Sequence, residues 1–315
     1  MFYISIDFNV IVWYNIFGVI YLFRLVVIMN DCLIKWTGSK RKQAKDIVDI
    51  FPKEIETYYE PVVGGASIAI ELMLRNDVKV NNFVLSDINK DLISFYDAVI
   101  NYPKQLIDLY TDLHNHFVAC NDKKVFYESA RKEFNRSHNT ALFLFLTRTS
   151  HNGLIRYNSK GEYNVGCHYN RNGIKPDKLS KIINFYSDLF NRRNVRFSCC
   201  DYSRIKPNEN DFCYFDPPYG GTGTSIYFGN FDKNNFFNFI RSLKCKYAIS
   251  YDGNTTENKN LNCKLDNDLY KNHYLIDNGI SGFRKLHGNN VYVKESLYCN
   301  YDIEKKETVI RNRLF

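Results

Sequence analysis

The 315-residue chain has little from which to build linkers, metal ribbons or disulfide frameworks. It contains only 7 Pro and 16 Gly, and no Pro- or Gly-rich stretch separates independent domains. None of its nine Cys form a C-x-x-C pair; Cys199 and Cys200 are adjacent and the others scattered. That pattern excludes a zinc ribbon and a disulfide scaffold, and fits reduced thiols in a cytosol. No G-x-G-x-x-G is present, which weighs against a dinucleotide site, and no internal repeat signals a solenoid. The run from Val10 to Ile28 is apolar but broken by Asn15 and Arg24, and it lacks the small-residue cleavage site of a signal peptide. A second Met, Met29, falls just before the first motif. Residues 1–28 therefore read as an apolar extension upstream of the natural start, with no stable membrane association expected.

What is present is a globular composition. Hydrophobic residues make up 45% of the chain, enough to bury an α/β core together with a smaller lobe. Tyr and Phe number 24 each, so most must be core and none marks a site by itself. The net charge is +8, and its location is informative. From Lys123 to Arg196 the chain carries 15 Lys/Arg against 5 Asp/Glu, an excess larger than that of the whole chain. A basic block inside a folded region is either a solvated face or the footprint of a polyphosphate partner.

The apolar pattern alternates between strand and helix. Lys40–Phe51 reads as a helix ended by Pro52. Thr57–Val63 is β-rich and runs into Gly64-Gly65; Ala66–Arg75 is helical, Phe83–Ser86 a short strand and Asp91–Ile100 a helix. Strand, glycine turn, helix, strand is the unit of a doubly wound α/β sheet. Residues 103–196 are basic and mostly helical, with a polar loop from Ser150 to Arg171. Strands then return at Phe212–Phe215, Tyr247–Tyr251 and Val291–Tyr298, with a helix near Phe236–Leu243. One α/β domain, residues 29–102 and 197–302, with an insertion at 103–196 and a charged tail at 303–315, is the expected organisation.

Four motifs carry chemistry. In Glu60-Pro61-Val62-Val63-Gly64-Gly65-Ala66-Ser67 the glycines allow a tight turn and close approach to a ligand. Asp87 follows Gly64 by 23 residues, near the offset at which a carboxylate accepts hydrogen bonds from ribose hydroxyls. Nicotinamide, flavin and S-adenosylmethionine all carry that ribose, so the pair alone does not choose among them.

Asp216-Pro217-Pro218-Tyr219 directly follows a strand. Two prolines cannot continue a central strand, so they end it rigidly at the carboxyl edge where α/β sheets bind ligands. The tetrad suits an exocyclic amine such as adenine N6, whose lone pair is delocalised into the ring. The Asp216 carboxylate and the Pro217 carbonyl can each accept one N–H, turning the lone pair outward, while Tyr219 offers a stacking face to an extruded base. No dedicated general base is needed, because the nitrogen becomes acidic as it is alkylated. Lys35-Trp36-Thr37-Gly38-Ser39-Lys40 places a Trp between cations, suited to stacking or to a sulfonium. Finally, Arg148 to Gly161 (RTSHNGLIRYNSKG) is dense in Arg, Asn, Lys and Ser, the usual readers of base edges and holders of phosphates.

Together these residues resemble the Dam-type, alpha-group DNA adenine-N6 methyltransferases. The likeness runs from about Leu33 to Tyr301, through the patches KWTGSK, EPVVGGAS, LSDINKDLISFYDAV, NGLIRYNSKGEYNV, FDPPYGGTG and FRKLHGNNVYVKESLY. The resemblance implies a class I S-adenosylmethionine-dependent methyltransferase (Rossmann-like) sheet with a helical target-recognition insertion. It implies S-adenosylmethionine as cofactor, held by Trp36, Lys40, Glu60, Gly64, Asp87 and Asp216, with no metal. Catalysis would fall to Asp216, Pro217, Pro218 and Tyr219. DNA contacts would fall to Arg148, Asn152, Leu154, Arg156 and Lys160. A monomeric, cytoplasmic enzyme that flips its target base is expected, with a restriction endonuclease as a possible companion.

The sequence departs from the family at two places. The Phe-x-Gly-x-Gly appears as Val62-Val63-Gly64-Gly65-Ala66, and His151 stands where relatives carry an intercalating aromatic. The rival readings keep the fold and change the acceptor (cytosine N4, RNA adenine or a glutamine side chain), or make the chain a DNA binder with decayed catalysis. A nicotinamide oxidoreductase explains neither the prolines nor the charge block.

Overall fold

The computed structural model describes residues 31–168, 170–218, 231–255, 265–280 and 292–303. The extension 1–28 and nearly all of the charged tail therefore lie outside the described residues. So does Tyr219.

Seven strands form one sheet in the order β3-β2-β1-β4-β5-β7-β6. They are β1 Glu54–Glu60, β2 Lys79–Asp87, β3 Val195–Cys199, β4 Phe212–Phe215, β5 Lys246–Thr255, β6 Asn272–Ile280 and β7 Tyr292–Cys299. β1 to β5 pair in parallel, whereas β7 runs antiparallel to both of its neighbours. The order reverses between β1 and β4, and such a switch point opens a crevice at the carboxyl ends of the strands.

The helices are α1 Ala44–Asp49, α2 Ser67–Leu74, α3 Lys90–Asn101, α4 Pro103–Ala119, α5 Lys123–Ser137, α6 Thr140–Thr149, α7 Pro176–Arg192 and α8 Lys233–Ser242. Their starts follow local chemistry. Asn89, Asp122, Asn139 and Asp232 each accept backbone N–H groups at a helix N-terminus, and Pro opens α4 and α7, where a missing N–H costs nothing.

Residues alternate between two apolar layers. On β4, Phe212 and Tyr214 join the larger cluster, which takes in most of the helices, while Cys213 and Phe215 face a smaller one built around Phe236, Phe237 and Ile240 of α8. This period-two division fixes the sheet between helices on both faces. All four β4 residues are buried, as the central strand of such a sheet requires.

The first helix is shorter than the apolar pattern predicts, because Lys40 is drawn into the crevice and only Ala44–Asp49 is helical. The first strand begins and ends three residues earlier than predicted, since Pro61 and the glycine turn leave the sheet. β3 and β6 have no counterpart in the sequence-based reading. Residues 103–196 contain α4 to α7, the polar loop from Ser150 to Arg171 and the first two residues of β3. The eight described cysteines are all free. Among the described residues, no helix is long and apolar enough to cross a membrane.

Candidate active site

β1, β2 and β4 bring Glu60, Asp87 and Asp216 to one edge of the sheet. The chain leaving β1 makes its turn at Gly64, whose φ is +45°. A Cβ built on Gly64 would come within 2.6 Å of Trp36 Nε1, so the indole can lie against this turn only because the residue is glycine. The Gly64 N–H donates to Asp87 Oδ2 at 3.1 Å, and the Asn89 N–H donates to Oδ1 at 2.9 Å. Burial pushes the Asp87 carboxyl up from its ordinary value, and these two N–H groups pull against that rise.

The segment carrying Trp36 continues to Ser39, whose hydroxyl lies 2.6 Å from that of Ser67 at the start of α2. It then reaches Lys40, which is 7% exposed. The Lys40 ammonium sits 3.1 Å from Asp216 Oδ1 and 2.9 Å from Glu295 Oε2. Burial works against its charge, but the two carboxylates more than offset this and raise its pKa. Asp216 is thereby tethered at the crevice by the Lys40 ammonium.

Glu60 completes the floor. It accepts a 2.7 Å hydrogen bond from the Tyr58 hydroxyl, and burial, helped by nearby Asp216, pushes its carboxyl up to about 8 against that bond. Asp216 and the glycine turn thus share one crevice, spanned by Trp36–Lys40. Pro217 is buried behind Asp216 and Pro218 is half-buried.

Glu295 was not among the sequence candidates. It lies on β7, 79 residues beyond Asp216, and only the KES triplet within one family-like patch pointed to it. With Lys40 counted, Asp87, Asp216 and Glu295 leave the edge negative. A cationic sulfonium and a ribose diol suit this donor set, whereas a phosphate does not, so these residues fit S-adenosylmethionine.

The polar loop from Ser150 to Arg171 contains a small hairpin. Tyr157 bridges Tyr163, and the Asn164 N–H donates to the Arg156 carbonyl at 3.0 Å. Arg156 is exposed, with Nε donating to Asn164 Oδ1 at 2.8 Å, and Lys160 is exposed at the tip. Leu154 is half-buried beneath them. Asn152 sits in the single turn His151–Gly153, and its side chain lies outside what the structure describes.

Arg148 departs from expectation. It is 6% exposed, and its guanidinium donates to the carbonyls of Cys32 and Leu33 at 2.7 Å. It braces the segment leading to Trp36 instead of presenting itself to a base edge. It also lines a cavity of about 310 Å³ with Lys35, Arg171, Asn170 and Asn172, a lining that contains no carboxylate. Burial, then Arg171 and Arg148, push the Lys35 ammonium down from its ordinary value.

An α/β sheet with an antiparallel β7 between β5 and β6, and an acid–Pro–Pro corner facing a glycine turn at its switch point, defines a class I methyltransferase of exocyclic amines. Comparison with known proteins narrows the class. The model of the D12 class N6 adenine-specific DNA methyltransferases matches residues 36–282, and the chain belongs to that family. The chain is 32% identical over 221 residues to the Type II methyltransferase M.MjaIII of Methanocaldococcus jannaschii, covering 64% of this chain and 74% of the relative. It is 27% identical over 249 residues to the Type II methyltransferase M1.LlaDCHI of Lactococcus lactis subsp. cremoris, covering 75% and 83%. It is 31% identical over 213 residues to the DNA adenine methylase of Escherichia coli, covering 66% and 71%. The protein is an adenine-specific DNA methyltransferase of a family whose methyl donor is S-adenosylmethionine.

Proposed function

We propose that the crevice holds an adenine flipped out of duplex DNA, with Asp216 and the Pro217 carbonyl accepting its two N6 hydrogens and Tyr219 stacking on the ring. When bound, S-adenosylmethionine supplies an electrophilic methyl group. Trp36, Gly64 and Glu60 would line its pocket, Asp87 would accept from its ribose, and Lys40 would set the local charge. The observation that carries this reading is the 3.1 Å contact between Lys40 and Asp216 at the switch point. In this role Asp216, tethered by Lys40, orients the amine as a hydrogen-bond acceptor and does not remove its proton early. The proton leaves to solvent once the nitrogen is methylated and acidic.

Residues 103–196 would serve as the target-recognition insertion on a catalytic domain of residues 29–102 and 197–302. Arg156, Leu154 and Asn152 would read the site, and Lys160 would hold backbone phosphate. The carboxylate-free cavity at Lys35 and Arg171 suits a DNA phosphate. A monomer working in the cytoplasm fits this role. The Type II names of two relatives support a restriction endonuclease as companion.

Asp216→Ala is expected to lower methyl transfer at least about 10³-fold while sparing duplex affinity, since it removes an acceptor needed only as the amine reacts. Modified-base sequencing of plasmid from an expressing host reports both the activity and the recognised sequence. Near-normal methylation by that variant would sink the assignment.

A further inference from the structure

Helix α3 touches the cofactor crevice and the recognition hairpin at the same time. At its start, the Asn89 backbone N–H donates to Asp87 and its side chain caps Leu92 N at 3.1 Å. Further along, the Tyr96 hydroxyl donates to the Gly64 carbonyl at 2.7 Å. The helix is thus fastened to the glycine turn directly through Tyr96 and indirectly through Asp87, which also accepts the Gly64 N–H. Between them stands Asp91, 6% exposed. Its Oδ2 accepts the Tyr157 hydroxyl at 2.6 Å, and its Oδ1 lies 2.8 Å from His138 Nδ1.

Tyr157 directly follows Arg156 and pairs with Tyr163 across the hairpin, the two rings edge to face at 5.9 Å. The Tyr163 hydroxyl in turn donates to the Leu154 carbonyl at 3.0 Å. Burial and Asp91 raise the Tyr157 phenol well above its ordinary range, so it remains a donor at any working pH. An acid in a first helical turn is commonly explained by the helix dipole. That account does not require burial, nor partners drawn from two other segments.

We propose that Asp91 and Tyr157 form a strut through which α3, a rigid bar, couples the cofactor crevice to the hairpin bearing Arg156. Filling the crevice fixes Gly64 and Asp87, α3 follows them, and Asp91 sets where Arg156 stands over the DNA. Asp91 and Tyr157 are positioning residues, since neither reaches the reacting atoms. The inference rests on the reading of Asp87 as a cofactor residue and Arg156 as a DNA reader. Coupling of this kind is reciprocal, so DNA on the hairpin must retain the cofactor by the same factor.

The test measures binding of a duplex carrying the methylated sequence, with and without S-adenosylhomocysteine. In the wild type the ligand is expected to tighten duplex binding roughly tenfold, and the duplex to tighten ligand binding equally. Tyr157→Phe deletes one hydroxyl and keeps the ring. It should cut both enhancements below about threefold while leaving the affinity for S-adenosylhomocysteine alone within about twofold. Asp91→Asn should act in the same direction. A purely structural role would weaken each affinity and the thermal midpoint but leave the enhancement ratio intact. A wild type without linkage, or a Tyr157→Phe protein that keeps its tenfold enhancement, overturns the strut. Absence of methyl transfer by the wild type would instead contradict the functional reading, and is scored separately from the same preparations.

Discussion

Glu60 shows how one buried side chain gives the whole protein a pH response. Its folded-state pKa is about 8, above the ordinary 4.5, so the folded protein keeps a proton that the unfolded chain releases. The cost of Glu60 is therefore nil below about pH 4.5, grows as pH rises to about 8, and is constant above that. Within the window it grows by at most about 1.4 kcal/mol per pH unit. Glu60→Gln keeps the acceptor for Tyr58 and removes the titration, so denaturant unfolding should show the variant gaining on wild type between pH 5.5 and pH 8. A constant difference across that range would contradict this. Ala66 makes a second case. It occupies the left-handed region at φ 53° and is fully buried. Relief of strain in Ala66→Gly, about 1–2 kcal/mol, is offset by loss of a buried methyl at about 0.8 kcal/mol and by a more flexible unfolded chain. The variant should stay within about 1 kcal/mol of wild type, whereas Ala66→Val should lose roughly 3 kcal/mol or more; urea midpoints decide both.

At the scale of elements, the strands that could be read from the sequence are those that carry apolar runs. β4 is a run of four buried residues and was legible to the residue. β3 and β6 were not, and they are the two edges of the sheet. Their burial is intermittent at best, and polar residues interrupt both, as edge strands tolerate. The site was legible to the same degree. Gly64 and Asp216 announced themselves by the turn chemistry of the glycines and prolines beside them, and Lys40 through the resemblance carried by KWTGSK. Glu295 arrives only through the pairing of β5 with β7, and Asp91 with Tyr157 only through packing across 66 positions. Arg148 looked like a DNA reader because local sequence shows charge but not depth. Helix α3 gives a further test. Asn89→Ala removes the cap on Leu92 N and should lower stability by about 1 kcal/mol in thermal or chemical unfolding.

Taken whole, the molecule places Glu60, Asp87, Asp216 and Glu295 about the crevice and concentrates its Lys and Arg excess in residues 123–196. Duplex affinity should fall steeply with salt. Lys160→Ala, at the exposed hairpin tip, should reduce the slope of log affinity against log salt by about one and weaken all sequences alike. Arg156→Ala should instead flatten the difference between target and non-target DNA, and titrations at several ionic strengths separate the two patterns.

The place of β7 has one more consequence, for the order in which a ribosome delivers the parts. β6 is made first, yet among the described strands it pairs with β7 alone, so it joins the sheet through a strand made later. The same late arrival brings Glu295 to Lys40. Nascent chains stopped before Tyr292 would therefore hold Lys40 and Asp216 without Glu295, and the crevice gains that third charge only once β7 has been made.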